Sequence, residues 1–113
     1  MSDEINLDRA SILERLGGDA ELFAELVSMY VQEAEGYATA LGEALAANDP
    51  GVVQREAHTI KGLLATFSDE TGSEMAYAIE VQAKSGALDD MPAAVAAVQA
   101  RVRRLAELLR SEG

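Results

Sequence analysis

Apolar side chains recur along this chain every three or four residues, which is the spacing of one face of an α-helix. No stretch alternates apolar and polar residues in the way that a half-buried β-strand does. The clearest helical stripe lies in the middle of the sequence and consists of Val53, Ala57, Ile60, Leu64 and Phe67. The pattern therefore predicts an all-α fold.

Residues that favour helix starts divide this pattern into segments. Asp8, Asp19 and Asp49 each precede an apolar stripe, and an aspartate there accepts hydrogen bonds from the free N–H groups of a first turn. Thr71 and Glu74 have the spacing of a capping box, in which each side chain bonds to the backbone of the other residue. We expect a helix to begin at each of these points.

Helix ends are marked mainly by glycine. Gly17 and Gly18 end a first short helix, and Gly36 marks a break or a kink in the next stretch. Gly86 ends the helix before the last, which itself runs to about Arg110. These boundaries leave only short connections between the helices.

Short connections make neighbouring helices antiparallel, as in an up-down bundle. We therefore expect an antiparallel four-helix bundle over about residues 34–110, with extra N-terminal helices over about residues 8–33 packed against it. Residues 1–113 should form a single domain, because 113 residues can bury one sizeable core and are too few for two.

The net charge, the lack of cysteine and the lack of long apolar runs limit the possible partners and location of the protein. The formal net charge is −11, and so acidic a protein repels nucleic-acid phosphates and anionic membrane surfaces. The absence of cysteine excludes disulfides and thiolate metal sites. Neither a signal peptide nor a run of the ~20 apolar residues that span a membrane is visible. We expect a cytoplasmic protein that binds neither nucleic acid nor membrane, and Met1 favours a free-standing chain.

His58 is the only histidine, and it lies about 100° round the helix axis from the apolar stripe, so its ring should face outward. A solvated surface histidine is the simplest interpretation. A transition-metal site is poorly supported without a second histidine or a cysteine. A Ser-His-Asp hydrolase is poorly supported because no nucleophile-elbow motif is present.

Two neighbours favour a chemical role for His58. Gly62 weakens the helix by roughly 1 kcal/mol relative to alanine, on a face where core packing does not require a small residue. Lys61 lies one turn from His58, so its ammonium group can reach an anion bound at the imidazole. A nucleophile, a cation for its anionic product and a gap for close approach of another protein together indicate phosphoryl transfer through histidine.

These residues resemble the histidine-containing phosphotransfer (HPt) domains of bacterial multi-step phosphorelays. The sequence HTIKG at residues 58–62 is similar to the family's H-[ST]-[LI]-K-G core. Residues 12–34 resemble its N-terminal pattern of a helix, Gly-Gly-Asp and a second helix. Residues 78–86 resemble its A-L-E-x-x-A-[KR]-x-G segment, with Glu80 at the family's spacing from His58. The three blocks occur in the family's order and cover nearly the whole chain.

The resemblance implies a domain of about six helices containing a four-helix bundle. His58 would accept a phosphoryl group from the aspartyl phosphate of one receiver domain and pass it to an aspartate of another. Lys61 would hold the phosphoryl oxygens, and Gly62 would allow the receiver to approach closely. The chain would be a stoichiometric phosphocarrier without autokinase activity. It would bind no cofactor or metal itself, since the Mg²⁺ would come with the receiver.

Supporting and docking positions follow from the same resemblance. Arg55 and Lys84 would add positive potential beside His58. Glu80 either orients His58 through its other ring nitrogen, as in the chemotaxis-kinase relatives, or merely pairs with Lys84 at i+4 on the exposed face. An exposed Leu63 either belongs to an apolar docking patch or covers the edge of the bundle. The positions expected to contact a receiver are Gln54, Thr59, Leu63 and Ala65.

The expected partners are response-regulator receiver domains, including that of a hybrid histidine kinase, and the expected state is a monomer. Two alternatives stay open. The chain is the phosphoacceptor domain of a chemotaxis-type histidine kinase, or it is a helical interaction module without phosphotransfer. The dimerisation domain of a sensor kinase is disfavoured, because its H-E-x-x-x-P pattern is missing here.

Overall fold

The structure is a computed structural model that describes Ile5 and residues 7–112. The outermost residues of the predicted domain 1–113, including most of the acidic N-terminal stretch, lie outside this part. Over the described residues the fold is all-α, with five helices and no strand, as the apolar pattern predicts. The helices are α1 (Arg9–Arg15), α2 (Ala20–Ala46), α3 (Pro50–Thr66), α4 (Glu70–Lys84) and α5 (Met91–Glu112).

Aspartate caps start the first four helices. The side chains of Asp8, Asp19 and Asp49 each accept a hydrogen bond from the backbone N–H three residues later, so these predicted caps are confirmed. The predicted capping box at Thr71 is wrong. Asp69 is the N-cap of α4 and accepts from the N–H of Gly72, which places Thr71 inside the first turn.

Gly36 does not interrupt its helix. α2 runs without a break through 27 residues, so of the break or kink expected at Gly36 the break is wrong. The described residues form five helices rather than about six. Residues 20–33, which the pattern assigns to separate N-terminal helices, form the first half of α2. The helix stays regular because buried side chains along its whole length, from Phe23 to Ala44, pack into the core.

The four longer helices enclose one hydrophobic core. α2 packs against α3 and α5, and α4 packs against the same two helices, so that α3 and α5 occupy opposite corners of the bundle. The stripe predicted for α3 is buried throughout, with Val53, Ala57, Ile60 and Leu64 fully inaccessible. α1 lies against α2 and inserts Ile12 into the core.

A buried ion pair joins the start of α4 to α5. Arg101 Nε and Nη2 donate to the Asp69 carboxylate at distances of 2.8–3.2 Å, and the two side chains are only 8% and 2% exposed. Arg101 occupies the buried face of α5, where its charge requires the paired carboxylate.

None of the helices over the described residues has the length and apolar character needed to cross a bilayer.

Candidate functional site

α3 presents His58 to solvent at the side of its buried stripe, next to α4. The imidazole side chain is 64% exposed, whereas Ala57 and Ile60 beside it are fully buried. The burial of the stripe holds the helix in one orientation, so the ring has to face outward. The exposure predicted for His58 is confirmed.

α4 supplies a carboxylate to the exposed ring. His58 Nδ1 lies 3.0 Å from Glu80 Oε2, which is a hydrogen-bonding distance. Nε2, the other ring nitrogen, has no hydrogen-bond partner among the residues that the structure describes. The alternative pairing of Glu80 with Lys84 is not observed.

Glu80 is also paired with Lys61. Lys61 Nζ lies 3.1 Å from Glu80 Oε1. The angles at Oε1 do not meet those of a hydrogen bond, so the contact is an ion pair held by charge. Burial by itself raises the pKa of Glu80, but Lys61 and His58 outweigh it and hold the pKa below its ordinary value. The carboxylate is therefore ionised at neutral pH and bridges His58 to Lys61.

An ionised carboxylate can only accept hydrogen bonds, so the proton of a neutral His58 resides on Nδ1. The lone pair then lies on Nε2. The arrangement thus leaves a nucleophilic nitrogen on the exposed side of the ring and a counter-charge on the protected side.

The Lys61 ammonium group contacts two side chains of α4. Its side chain is 28% exposed and extends toward α4, where Nζ also lies 4.9 Å from the ring centroid of Tyr77. The ammonium group is thus held near His58 by two side chains of the neighbouring helix. The sequence analysis did not identify Tyr77, although its position one turn before Glu80 on α4 was visible.

The surface around Gly62 is open. A Cβ atom built at Gly62 would meet nothing within 4 Å, and the residue is exposed. No neighbour among the described residues requires glycine here. The open space agrees with the expectation that another molecule approaches at this point.

The two supporting cations make few contacts of their own. Arg55 is 71% exposed, and its guanidinium lies 3.8 Å from the Glu56 carboxylate. Lys84 is exposed and has no ion pair or hydrogen bond over the described part of the chain. Both charges are therefore available to a partner.

The predicted docking positions are not equally accessible. Thr59 and Ala65 are exposed, and the Thr59 hydroxyl donates to the Arg55 carbonyl. Gln54 is half-buried. Leu63 is half-buried and packs against the core, so it is less exposed than expected. Leu63 therefore covers the bundle's edge, and only its outer part remains for contact with a partner.

Leu63 lines a small cavity of about 120 Å³ together with residues of α2 and the end of α3. A groove of about 500 Å³ is formed by α1, α2 and the end of α5, and none of the predicted site residues lines it. Within the described residues no three or more His, Cys, Asp or Glu side chains are grouped closely enough to hold a metal ion. His58 lines neither the groove nor the smaller cavity, and its 64% exposed side chain is open to contact with another protein.

Comparisons with known proteins agree with this geometry. The family model described as Hpt domain matches residues 25–109. Among solved structures, the chain is similar to histidine-containing phosphotransfer protein B (HptB) from Pseudomonas aeruginosa PAO1, with a TM-score of 0.77 and 23% sequence identity. This match covers 95% of the present chain and 96% of that one. No curated protein sequence matches the chain.

Proposed function

Because the chain belongs to the Hpt domain family, we propose that it is a histidine phosphotransfer protein of a two-component phosphorelay. In this proposal His58 accepts a phosphoryl group from the aspartyl phosphate of one receiver domain and passes it to an aspartate of another. The observation that carries the assignment to His58 is the exposed imidazole with Nδ1 held by Glu80 and Nε2 free.

The transfer step balances with the residues present. The Nε2 lone pair forms a bond to phosphorus, and the bond between phosphorus and the receiver's aspartyl oxygen breaks. The electron pair of that bond leaves with the aspartate, which becomes a carboxylate. The proton stays on Nδ1, so the phosphorylated ring carries a positive charge that Glu80 stabilises at 3.0 Å.

Neighbouring residues serve this step in different ways. Lys61 lies near the ring, so its ammonium group can attract the phosphoryl oxygens while it still interacts with Glu80. Gly62 leaves space for the receiver's backbone to approach. Arg55 and Lys84 favour association with the acidic site of a receiver.

The chain acts as a stoichiometric phosphocarrier and has no autokinase activity in this proposal. Receiver domains, including that of a hybrid histidine kinase, supply the Mg²⁺ that lowers the barrier. The four longer helices provide a rigid, antiparallel four-helix bundle, and the carrier is monomeric and cytoplasmic. The bundle's role is to hold His58 on a straight, well-packed helix.

The decisive experiment incubates the chain with a panel of radiolabelled, phosphorylated receivers and follows label on both proteins. Wild-type protein should remove label from at least one receiver, whereas His58→Gln should take up none while keeping its helical circular-dichroism spectrum. Substantial labelling of the His58→Gln protein would refute the assignment of the nucleophile. Uptake by neither protein would favour an interaction module without phosphotransfer.

A second function is favoured by one observation. The bond of Glu80 to His58 Nδ1 is the feature that the chemotaxis-kinase relatives suggested, so a phosphoacceptor domain of such a kinase remains the alternative. The two functions differ in the phosphate donor. Rapid labelling by the ATP-binding domain of a histidine kinase with radiolabelled ATP, and none by phosphorylated receivers, would support the kinase domain over the carrier.

A further inference from the structure

Tyr77 is an aromatic side chain that the core does not use. It lies on the outer face of α4 and is 53% exposed, although exposing an aromatic ring gives up the free energy of burying it. The remaining aromatic side chains are buried or half-buried, and they are Phe23, Tyr30, Tyr37 and Phe67. The exposed position of Tyr77 therefore calls for a reason other than packing.

The contact that Tyr77 makes is with Lys61. The ammonium nitrogen lies over the ring at 4.9 Å from its centroid, within the range in which a cation is attracted to an aromatic face. The same nitrogen lies 3.1 Å from Glu80 Oε1. Tyr77 and Glu80 are neighbours one turn apart on α4, so the two side chains hold one ammonium group between them.

Resting on the proposed function, we propose that Tyr77 is a positioning residue for phosphoryl transfer, acting through Lys61. A lysine side chain has four rotatable methylene links, and fixing it costs conformational entropy. The ring reduces that cost at the transfer step, because it keeps the ammonium group beside His58 before the phosphoryl group arrives. During transfer the ammonium group divides its charge interaction between Glu80 and the phosphoryl oxygens. Its contact with the neutral ring of Tyr77 persists at that stage.

Substitutions at Tyr77 separate this role from a structural one. Tyr77→Leu removes the ring, Tyr77→Phe keeps it, and Val81→Ala is the matched control because Val81 is 49% exposed on the same helix. The phosphate donor is phosphoramidate, a small molecule whose P–N bond breaks with loss of ammonia. Its use removes any effect of receiver docking. The initial rate of His58 phosphorylation is measured for each protein.

We expect Tyr77→Leu to slow phosphorylation about two- to fivefold, as the usual strength of a cation–aromatic contact implies. Tyr77→Phe and Val81→Ala should retain the wild-type rate. In a Lys61→Met background, the change at Tyr77 should have no further effect, because the interaction that it supports is already absent. The NMR signals of the Lys61 ε-methylene should be shifted upfield by the ring in wild-type and Tyr77→Phe proteins only.

Several outcomes would overturn this role. An unchanged phosphorylation rate for Tyr77→Leu would overturn it. If Tyr77→Leu slowed phosphorylation equally in the wild-type and Lys61→Met backgrounds, the ring would act independently of the lysine. Slowing by Tyr77→Phe would assign the effect to the hydroxyl. If the wild-type protein accepts phosphate neither from phosphoramidate nor from receivers, the proposed function fails, and this inference fails with it.

Discussion

At the scale of single residues, the proposed phosphoryl transfer depends on which nitrogen of His58 carries the proton. Glu80 lies 3.0 Å from Nδ1, and its lowered pKa keeps it ionised, so it can only accept. Lys61, at 3.1 Å, offsets part of the negative charge of the same carboxylate. One side chain from α4 therefore decides the tautomer of His58 and contacts the Lys61 ammonium group.

Glu80→Gln should slow phosphoryl uptake from a receiver by about tenfold, because an amide cannot stabilise the positive ring as a carboxylate does. The initial rate of label transfer measures this effect. Glu74→Gln, an exposed acid on the same helix, is the control for the loss of one negative charge. Equal rates for Glu80→Gln and wild type would remove Glu80 from the mechanism.

Glu80 should also make the free energy of unfolding depend on pH. A group whose folded-state pKa is depressed contributes stability above its unfolded pKa and loses it as pH falls through the folded value. For Glu80 this loss begins near the ordinary glutamate pKa, about 4.3, and is complete below the depressed value. Urea unfolding from pH 7 to pH 3 should show a smaller decline for Glu80→Gln than for wild type. Parallel declines would contradict this.

Gly62 and Gly36 form a natural pair for testing close approach. Both lie inside helices, and a Cβ at either position would meet nothing within 4 Å. Replacing either by glutamate should keep or raise helix stability, by at most about 1 kcal/mol. Only Gly62→Glu should block transfer, by its bulk and charge beside His58. Equal transfer rates in Gly62→Glu and Gly36→Glu proteins would remove the argument from close approach.

At the scale of elements, α4 is the helix whose placement decides the site, since it carries both Glu80 and Tyr77. Its start is fixed by Asp69, which caps the helix through Gly72 N–H and pairs with buried Arg101 of α5. Gly72 has to be glycine at this point, because a Cβ would overlap the Asp69 carboxylate. The cap therefore sets the position of α4 against both α3 and α5.

Asp69→Asn tests the buried charge separately from the cap. Asparagine caps a helix about as well as aspartate, but it removes the carboxylate charge that lies against buried Arg101. We expect a loss of about 3 kcal/mol or more in the free energy of unfolding, measured in urea. Asp49→Asn, at the exposed cap of α3, should leave stability nearly unchanged. A similar small change in both proteins would show that the ion pair contributes little.

The end of α3 is tied to α1 in the same way. Arg15 Nη2 donates to the carbonyl of Thr66 at 2.7 Å and to the Ser68 hydroxyl at 3.0 Å. A cation at a helix C-terminus satisfies free carbonyl groups and complements the helix dipole. The helix that carries His58 is thus capped at both ends, by Asp49 and by Arg15.

At the scale of the whole molecule, the positive charges are distributed unevenly over a protein of net charge −11. On α5, Arg101 pairs with Asp69, Arg103 with Glu35, and Arg104 with Glu107. Arg55 lies one turn from His58 and is exposed. The positive charge of Arg55 thus lies on the same exposed face as His58, where it favours contact with an acidic partner surface.

Arg55→Glu should raise the receiver concentration needed for half-maximal transfer about two- to tenfold at low salt, and added salt should reduce the difference. Arg110→Glu makes the same change in net charge on α5, at the opposite corner of the bundle, and should have little effect. Equal effects of the two substitutions would mean that the net charge of the protein, and not the position of Arg55, controls association with the receiver.

Several features of the fold were predictable because they are local. Asp49 and the stripe of α3 act within one or two turns, and the structure has them as predicted. The structure has neither a break at Gly36 nor a capping box at Thr71, because packing overrides local preference. The glycine is tolerated because the buried face of α2 packs on both sides of it, and Asp69 outcompetes Thr71 as a cap because it also neutralises Arg101.

The amino-acid sequence by itself determined the helices, the outward face of His58 and the open position at Gly62, because each follows from residues within a few turns of one another. The tertiary structure alone decided that Glu80 pairs with His58 rather than Lys84, and that Tyr77 lies beneath Lys61. These contacts cross from α3 to α4. They depend on the rotation and axial register of two packed helices, which long-range packing sets and no local pattern encodes.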